Sequence, residues 1–267
     1  MYYATVRSGD ESWAARIVDG EAELLPYRDL ADAIAADDLA SPATGTRNAG
    51  EFTYAPVVRP SKIICVGLNY AAHIAETGRE APTHPTLFAK YNDSLCGAFD
   101  EIELPPEAER VDWEGELTLV IGRGGRRIPA AAALECIAGY TVANDTSMRD
   151  WQRRTLQFLQ GKTWDHATPV GPVMATPDEV DHGADLRLTT TLDGQVMQDA
   201  RTSDLVFGPA HLVSYISTFT RLNPGDLVLT GTPGGVGDAR DPRISVRSGQ
   251  TVSVTIEGIG TLANRFV

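Results

Sequence analysis

The chain has 267 residues, 42% hydrophobic and 22% charged, which suffices for one large soluble domain with its own core and a small appendage. Asp and Glu number 36 against 23 Lys and Arg, a formal charge of −13 with no block of like charge, so nucleic acid and anionic membrane surfaces are disfavoured as partners. No stretch approaches the roughly 18 consecutive apolar residues of a membrane span, and MYYATVRSGDESW has no basic segment leading into an apolar one; a cytoplasmic protein is expected.

Residues 1–56 read as a small N-terminal α/β domain. Two strand-like runs, YYATVRS and SWAARIVD, precede an amphipathic segment around YRDLADAIAADD, and SPATGTRNAGEF has the composition of a linker. The remainder, 57–267, reads as the main domain. KIICVGLNY predicts a strand running into a helical AAHIAET stopped by Gly78, followed by a loop with two prolines, GREAPTHPT. Further strands are predicted in VDWEGELTLVIG, ECIAGYTVAND, LRLTTTLDGQVM with an Asp-Gly turn, DLVLTGTP, TVSVTIEG and GTLANRFV. One helix is predicted over SDLVFGPAHLVSYISTFTRL, ended by Asn223-Pro224-Gly225. Strands outnumber helices and do not alternate with them regularly. The expected class is therefore α+β and β-rich, a barrel or roll rather than a doubly wound sheet.

Several motifs fail on context. Gly161-Lys162-Thr163 imitates the end of a phosphate loop, but position 156 is Leu where that loop needs glycine. GTPGGVGD is glycine-rich, yet no helix-forming sequence follows it. Gly-x-Ser-x-Gly is absent, which leaves a serine hydrolase little support. Cys65, Cys96 and Cys136 are odd in number and set in apolar surroundings, and are read as reduced packing residues.

Glu114 and Glu116 stand out. With a side-chain period of two they share one face at the head of an apolar strand, where two like charges need an explanation. A solvent-exposed strand end, a buried partnership with Arg or Lys, and a divalent cation all remain open, because paired carboxylates are also the donors a hard cation prefers. Asp145, where an apolar strand passes into the polar run NDTSMRD, would add a third oxygen donor, although Asn-Asp also suits a plain turn. His73 and Glu76 lie three apart on a predicted helix, so the carboxylate could orient the imidazole as a base; a surface pair is the alternative. Lys162 could bind a carboxylate or enolate, or be a surface lysine, and Thr232 is a turn residue unless its glycine-rich loop lines a cleft.

In order, KIICVGLNYAAHIAE, PTLFAK, VDWEGELTLVIG, GYTVANDTSMRD, GKTWD with TPVGP, and PGDLVLTGTPGGVG resemble the fumarylacetoacetate hydrolase superfamily from Ser61 to Val267. The resemblance implies a mixed β-sandwich roll with a barrel-like core and a homodimer. It implies Glu114, Glu116 and Asp145 as ligands of Mg²⁺ or Mn²⁺, with Ca²⁺ as a further candidate. It also implies His73 and Glu76 as a catalytic dyad on a segment that orders over substrate, Lys162 as the lysine near the metal, and Gln152 and Thr232 as substrate contacts. Two departures from the family pattern are Trp113 in place of Tyr or Phe, and Thr-Trp-Asp-His after Lys162 in place of Ser-Phe-Asp; His166 is thereby retained as a candidate substrate contact.

The implied substrate is a small 2-oxo acid whose enolate a Lewis acid can stabilise. The favoured expectation is hydrolytic carbon-carbon cleavage of an acylpyruvate by water activated at His73, as in aromatic catabolism. Oxaloacetate decarboxylation and isomerisation of 2-hydroxyhepta-2,4-diene-1,7-dioate are alternatives on the same site. A non-catalytic binding protein is a further alternative, though one that would not need both the acidic triad and the dyad. Selectivity is expected from the loop Thr77 to Pro85 and the N-terminal unit.

Overall fold

The computed structural model describes residues 1–76 and 82–267, without the side chains of His73, Ala75 and Glu76. The expected His73 and Glu76 dyad, and much of the expected selectivity loop, therefore lie outside the described residues.

The fold is α+β and dominated by sheet. A twelve-stranded sheet has the spatial order Gly45–Asn48, Glu21–Leu24, Glu11–Val18, Tyr2–Ser8, Thr168–Ala175, Ile137–Asn144, Gly115–Ile121, Leu227–Leu229, Ile63–Gly67 and Thr86–Lys90. Two short strands, Thr53–Tyr54 and Leu95–Cys96, pair onto its side. Most pairs are antiparallel, but Leu227–Leu229 runs parallel to Ile63–Gly67, so the sheet is mixed. A second, antiparallel sheet is ordered Gln195–Arg201, Arg187–Leu192, Thr251–Ile256 and Gly260–Arg265.

The strand Gly115–Ile121 is central and buried on both faces. Leu117, Leu119 and Ile121 face a core completed by Leu188, Val254 and Leu262 of the second sheet. Val120, on the other face, joins Ile63, Cys65, Val170 and Leu229. Alternation thus sends the two side-chain sets into different cores. Gly115 turns toward the second sheet, where a Cβ would lie 2.4 Å from Thr190 Oγ1 and 2.8 Å from Val254 Cγ1. The glycine between the two glutamates is therefore what lets the sheets close behind the site.

The N-terminal strands extend the same sheet: Tyr2 and Tyr3 pair with Ala175 and Met174, and Ala4 and Val6 share a core with Leu117. The change of texture near Ser61 is accordingly not a break in hydrogen bonding or packing. The helix Pro209–Phe219 is shorter than its sequence pattern predicts. Pro209 occupies the first turn, where a missing N–H costs nothing, while residues Thr202–Asp204 form a separate 3₁₀ turn. Asp193 and Gly194, at φ 49° and 81°, form the tight turn of the predicted Asp-Gly hairpin. Among the described residues, no helix is long and apolar enough to cross a membrane.

Candidate metal and substrate site

Two strand ends build the floor of the site. Asn144 Oδ1 accepts from the Glu114 N–H at 2.8 Å, and the Asp145 N–H donates to Glu114 O at 2.8 Å, so the two chains are stitched where their acidic side chains emerge. Glu114, Glu116 and Asp145 each bring a carboxylate oxygen within 4.8 Å of the others. Glu116 and Asp145 are buried, and the Glu114 side chain is 12% exposed.

Cations surround this floor. Lys162 closes a short helix, Leu159–Lys162, and its buried Nζ donates to Glu114 Oε2 at 2.7 Å and Asp145 Oδ2 at 2.8 Å. Lys90, the last residue of Thr86–Lys90, donates to Asp145 Oδ1. Arg149 opens the helix Arg149–Gln152 and is spread over three partners: Asp112 Oδ2 at 2.8 Å, Glu114 Oε1 at 2.7 Å and Gln152 Oε1 at 2.9 Å. Asp112 also accepts from the Gly237 N–H at 2.7 Å and the Asp238 N–H at 3.0 Å, which ties the glycine-rich loop to the floor.

Glu116 has no ion-pair partner among the described residues; the Gly231 N–H donates to its Oε2 at 2.7 Å. Burial, then the charges of Asp145 and Glu114, push its carboxyl well above the ordinary carboxylate range. Burial acts on Asp145 in the same sense, but Lys162 and Lys90 outweigh it and hold that carboxyl below its usual range. Burial would deprotonate Lys162, yet Asp145 and Glu114 keep its ammonium above the normal range and therefore charged. Counting Asp112, and with Glu116 ionised, four carboxylates face three cations and leave one negative charge in excess, which is the charge that a proton on Glu116 or a bound cation would answer.

A divalent cation fits this donor set. Oxygen ligands on rigid strand ends suit Mg²⁺, Mn²⁺ or Ca²⁺, and the extra negative charge and the unpaired, proton-seeking Glu116 carboxyl are what such an ion would relieve. The buried Tyr70 hydroxyl also lacks a hydrogen-bond partner among the described residues and is held protonated by burial and by the charge of Glu116.

Above the floor lies a cavity of about 490 Å³, a size suited to a small organic acid. Glu114, Arg149, Gln152, Arg153, Lys162 and Thr232 line it together with apolar Phe88, Leu156, Phe158 and Val236. Thr232 Oγ1 donates to Gly115 O at 2.9 Å and accepts from Gln198 Nε2 at 2.8 Å, which fixes the rotor at the cavity wall.

The structure thus brings together Glu114, Glu116, Asp145, Gln152, Lys162 and Thr232. It does not bring His166 to them. That residue is exposed, with φ 49°, and lines a separate cavity of about 270 Å³ beside Arg7 and Arg59; its backbone N–H donates to Asp93 O at 2.9 Å. Lys90, Asp112, Arg149 and Arg153 complete the polar surroundings and were not singled out from the sequence. Asp112 had a visible signal, since it extends the period-two series to Asp112, Glu114 and Glu116. All three cysteines are free and buried, and burial pushes the thiols of Cys65 and Cys96 up, as packing residues require.

The chain resembles several characterised and solved proteins. Oxaloacetate tautomerase Fahd2a, mitochondrial, of Rattus norvegicus is 43% identical over 214 residues, 80% of this chain and 68% of the relative. The structure of 5-carboxymethyl-2-hydroxymuconate delta-isomerase from Mycobacterium smegmatis superposes with a TM-score of 0.85 at 38% identity, covering 100% of this chain and 98% of the other. Fumarylpyruvate hydrolase from Pseudomonas aeruginosa, solved with Mn²⁺ and pyruvate, gives a TM-score of 0.71 at 33% identity over 81% of this chain and 91% of its own. These relatives are enzymes. Residues 62–267, most of the chain, match the family model described as fumarylacetoacetate (FAA) hydrolase C-terminal, and the chain belongs to the fumarylacetoacetate hydrolase family.

Proposed function

We propose that the protein is a divalent-metal-dependent enzyme that interconverts the keto and enol forms of a 2-oxo acid, with oxaloacetate the first substrate to test. The observation that carries this reading is the convergence of Glu114, Glu116 and Asp145 within 4.8 Å, with Glu114 and Lys162 opening onto an acid-sized cavity. The 43% identity to an oxaloacetate tautomerase supports the choice of substrate.

Glu114, Glu116 and Asp145 would hold Mg²⁺ or Mn²⁺, which supplies Lewis-acid charge where negative charge develops on the substrate. An ammonium has three N–H donors; Lys162 spends two on Glu114 and Asp145, and the third can stabilise an enolate oxygen. Gln152 Oε1 accepts from Arg149, which leaves its NH₂ group to donate to the substrate carboxylate. Thr232, whose proton goes to Gly115 O, meets the ligand as an acceptor suited to an enol hydroxyl. His73, oriented by Glu76, would take the proton from the carbon next to the keto group, and the keto oxygen gains a proton as the enol forms. With the reading go a cytoplasmic location and a homodimer, the latter open to light scattering.

Acylpyruvate hydrolysis is the second reading, supported by the 33% identity to a fumarylpyruvate hydrolase. It uses the same enolate, released when water attacks the distal carbonyl. The test follows enol absorbance of oxaloacetate and of an acylpyruvate with Mg²⁺, with Mn²⁺ and after chelation. Metal-dependent loss of oxaloacetate enol without carbon-carbon cleavage supports tautomerisation. Pyruvate release from the acylpyruvate alone, abolished in His73→Ala, supports hydrolysis. Full activity of the chelated protein would falsify both.

A further inference from the structure

Among the described residues, three cations line the cavity: Lys162, Arg149 and Arg153. The first two are committed to the floor. Lys162 is held by Glu114 and Asp145, and the buried Arg149 divides its guanidinium among Asp112, Glu114 and Gln152. Arg153, four residues after Arg149 and at the end of the same short helix, has a side chain 54% exposed and therefore reachable from solvent.

Its surroundings are short of negative charge. Arg153 pairs with Asp238, but Arg110 pairs with the same carboxylate, and Arg243 Nε stands 3.9 Å from it. Asp238 is thus shared among three guanidiniums, and Arg153, the one of them that lines the cavity, is only partly neutralised by it. Burial and the repulsion of Arg110, Arg149 and Arg243 lower the affinity of Arg153 for its own proton, so an arriving anion would relieve an unfavourable field. Asp238 is anchored through its N–H to Asp112, which keeps this basic wall in register with the acidic floor.

A 2-oxo acid has one carboxylate beside its keto group, and the floor accommodates that end. Any second carboxylate must find a cation elsewhere, and apolar Phe88, Phe158 and Leu156 offer none. We propose that Arg153 is a specificity-determining residue that receives the distal carboxylate of a 2-oxo dicarboxylate, making the enzyme selective for dicarboxylates over monocarboxylates. The assignment rests on the functional reading above. A guanidinium suits the task because its planar fork can meet both carboxylate oxygens.

The test uses the Mg²⁺-loaded protein and the variants R153Q, R153K and R243Q. Arg243 neighbours Asp238 without lining the cavity, so R243Q controls for loss of charge alone. R153Q is expected to raise the KM for oxaloacetate by ~10- to 100-fold while kcat stays within about threefold, as loss of one charge-assisted contact made equally in ground and transition states requires. Binding of oxalate, which has no distal carboxylate once its two ends engage the floor, should be unchanged in calorimetry. R153K should recover part of the loss, and R243Q should leave both readouts near wild type. An unchanged KM in R153Q, a parallel loss of oxalate binding, or the same KM rise in R243Q would overturn the assignment. Wild-type protein that leaves oxaloacetate unconverted would refute the functional reading instead. Arg153 is then judged on binding alone, and the proposal falls unless R153Q weakens the oxaloacetate-induced rise in Tm.

Discussion

Replacing Glu116 with Gln separates the electrostatic role of this residue from any structural one. The side chain is fully buried among like charges, and its one hydrogen-bond partner among the described residues is the Gly231 N–H at 2.7 Å, from which a Gln carbonyl oxygen can accept equally well. Gln also offers an NH₂ donor toward the carboxylates of Asp145 and Glu114. Glu116→Gln is therefore expected to leave the chelated protein as stable as wild type or more so, since it deletes a repulsive charge and leaves no acceptor orphaned. Metal binding behaves in the opposite way. At a free concentration of ~100 times its Kd, an ion that binds only the folded state adds about 2.7 kcal/mol, or roughly 5–10 °C in Tm for a chain of this size. Wild type should show that rise with Mg²⁺ or Mn²⁺ and the variant should not, while activity falls by at least ~10²-fold. Differential scanning calorimetry with and without chelator reads both effects. A chelated variant destabilised by several kcal/mol, or one that keeps the metal-dependent rise, would show that Glu116 is a structural residue and that the triad is not a metal site.

The same carboxyl predicts a pH dependence. Because Glu116 binds its proton more tightly folded than unfolded, the metal-free protein loses stability as pH rises above the ordinary 4.5 toward the raised folded value. A metal must displace that proton, so the metal-induced rise in Tm should be larger at pH 8 than at pH 6 in wild type, and flat in Glu116→Gln; a wild-type rise that does not grow with pH contradicts this. Asp145 has the opposite sign: its depressed value contributes stability above the unfolded carboxylate range that is lost as pH falls through the folded one. Lys162→Met leaves Asp145 with Lys90 and Glu114 with Arg149, so it should fold while losing about 3 kcal/mol, with activity down at least ~10²-fold in steady-state assays. Gly161→Ala would put a Cβ 2.5 Å from the N, Cα and Cβ of Gln152; separating the two short helices should cost about 1–3 kcal/mol in urea unfolding and raise KM through Gln152.

Part of the site was legible in sequence because backbone periodicity is local. A period of two places Glu114 and Glu116 on one face wherever the strand goes, and the apolar residues after them bury it. Charge alternatives at that pair stayed open for an equally physical reason: the groups that answer the charge arrive from far along the chain. Lys162 lies 48 residues from Glu114, Lys90 lies 55 from Asp145, and Gly231 lies 115 from Glu116. No local pattern encodes those meetings, which depend on strand order and register.

Tertiary structure likewise decided which flanking residues matter. His166, only four residues beyond Lys162, takes a left-handed backbone conformation and turns to another cavity, whereas Arg153, next to Gln152, stays on the cavity wall. It also joined the first strand to Thr168–Ala175, so a segment with the composition of a separate unit became part of the main sheet. The sequence alone determined a strand-rich enzyme family member with a paired-glutamate strand. Only the fold decided that this pair meets Asp145, Lys162 and Arg149 beside a cavity that Arg153 also lines, because charge balance in a buried site is set by distance in space.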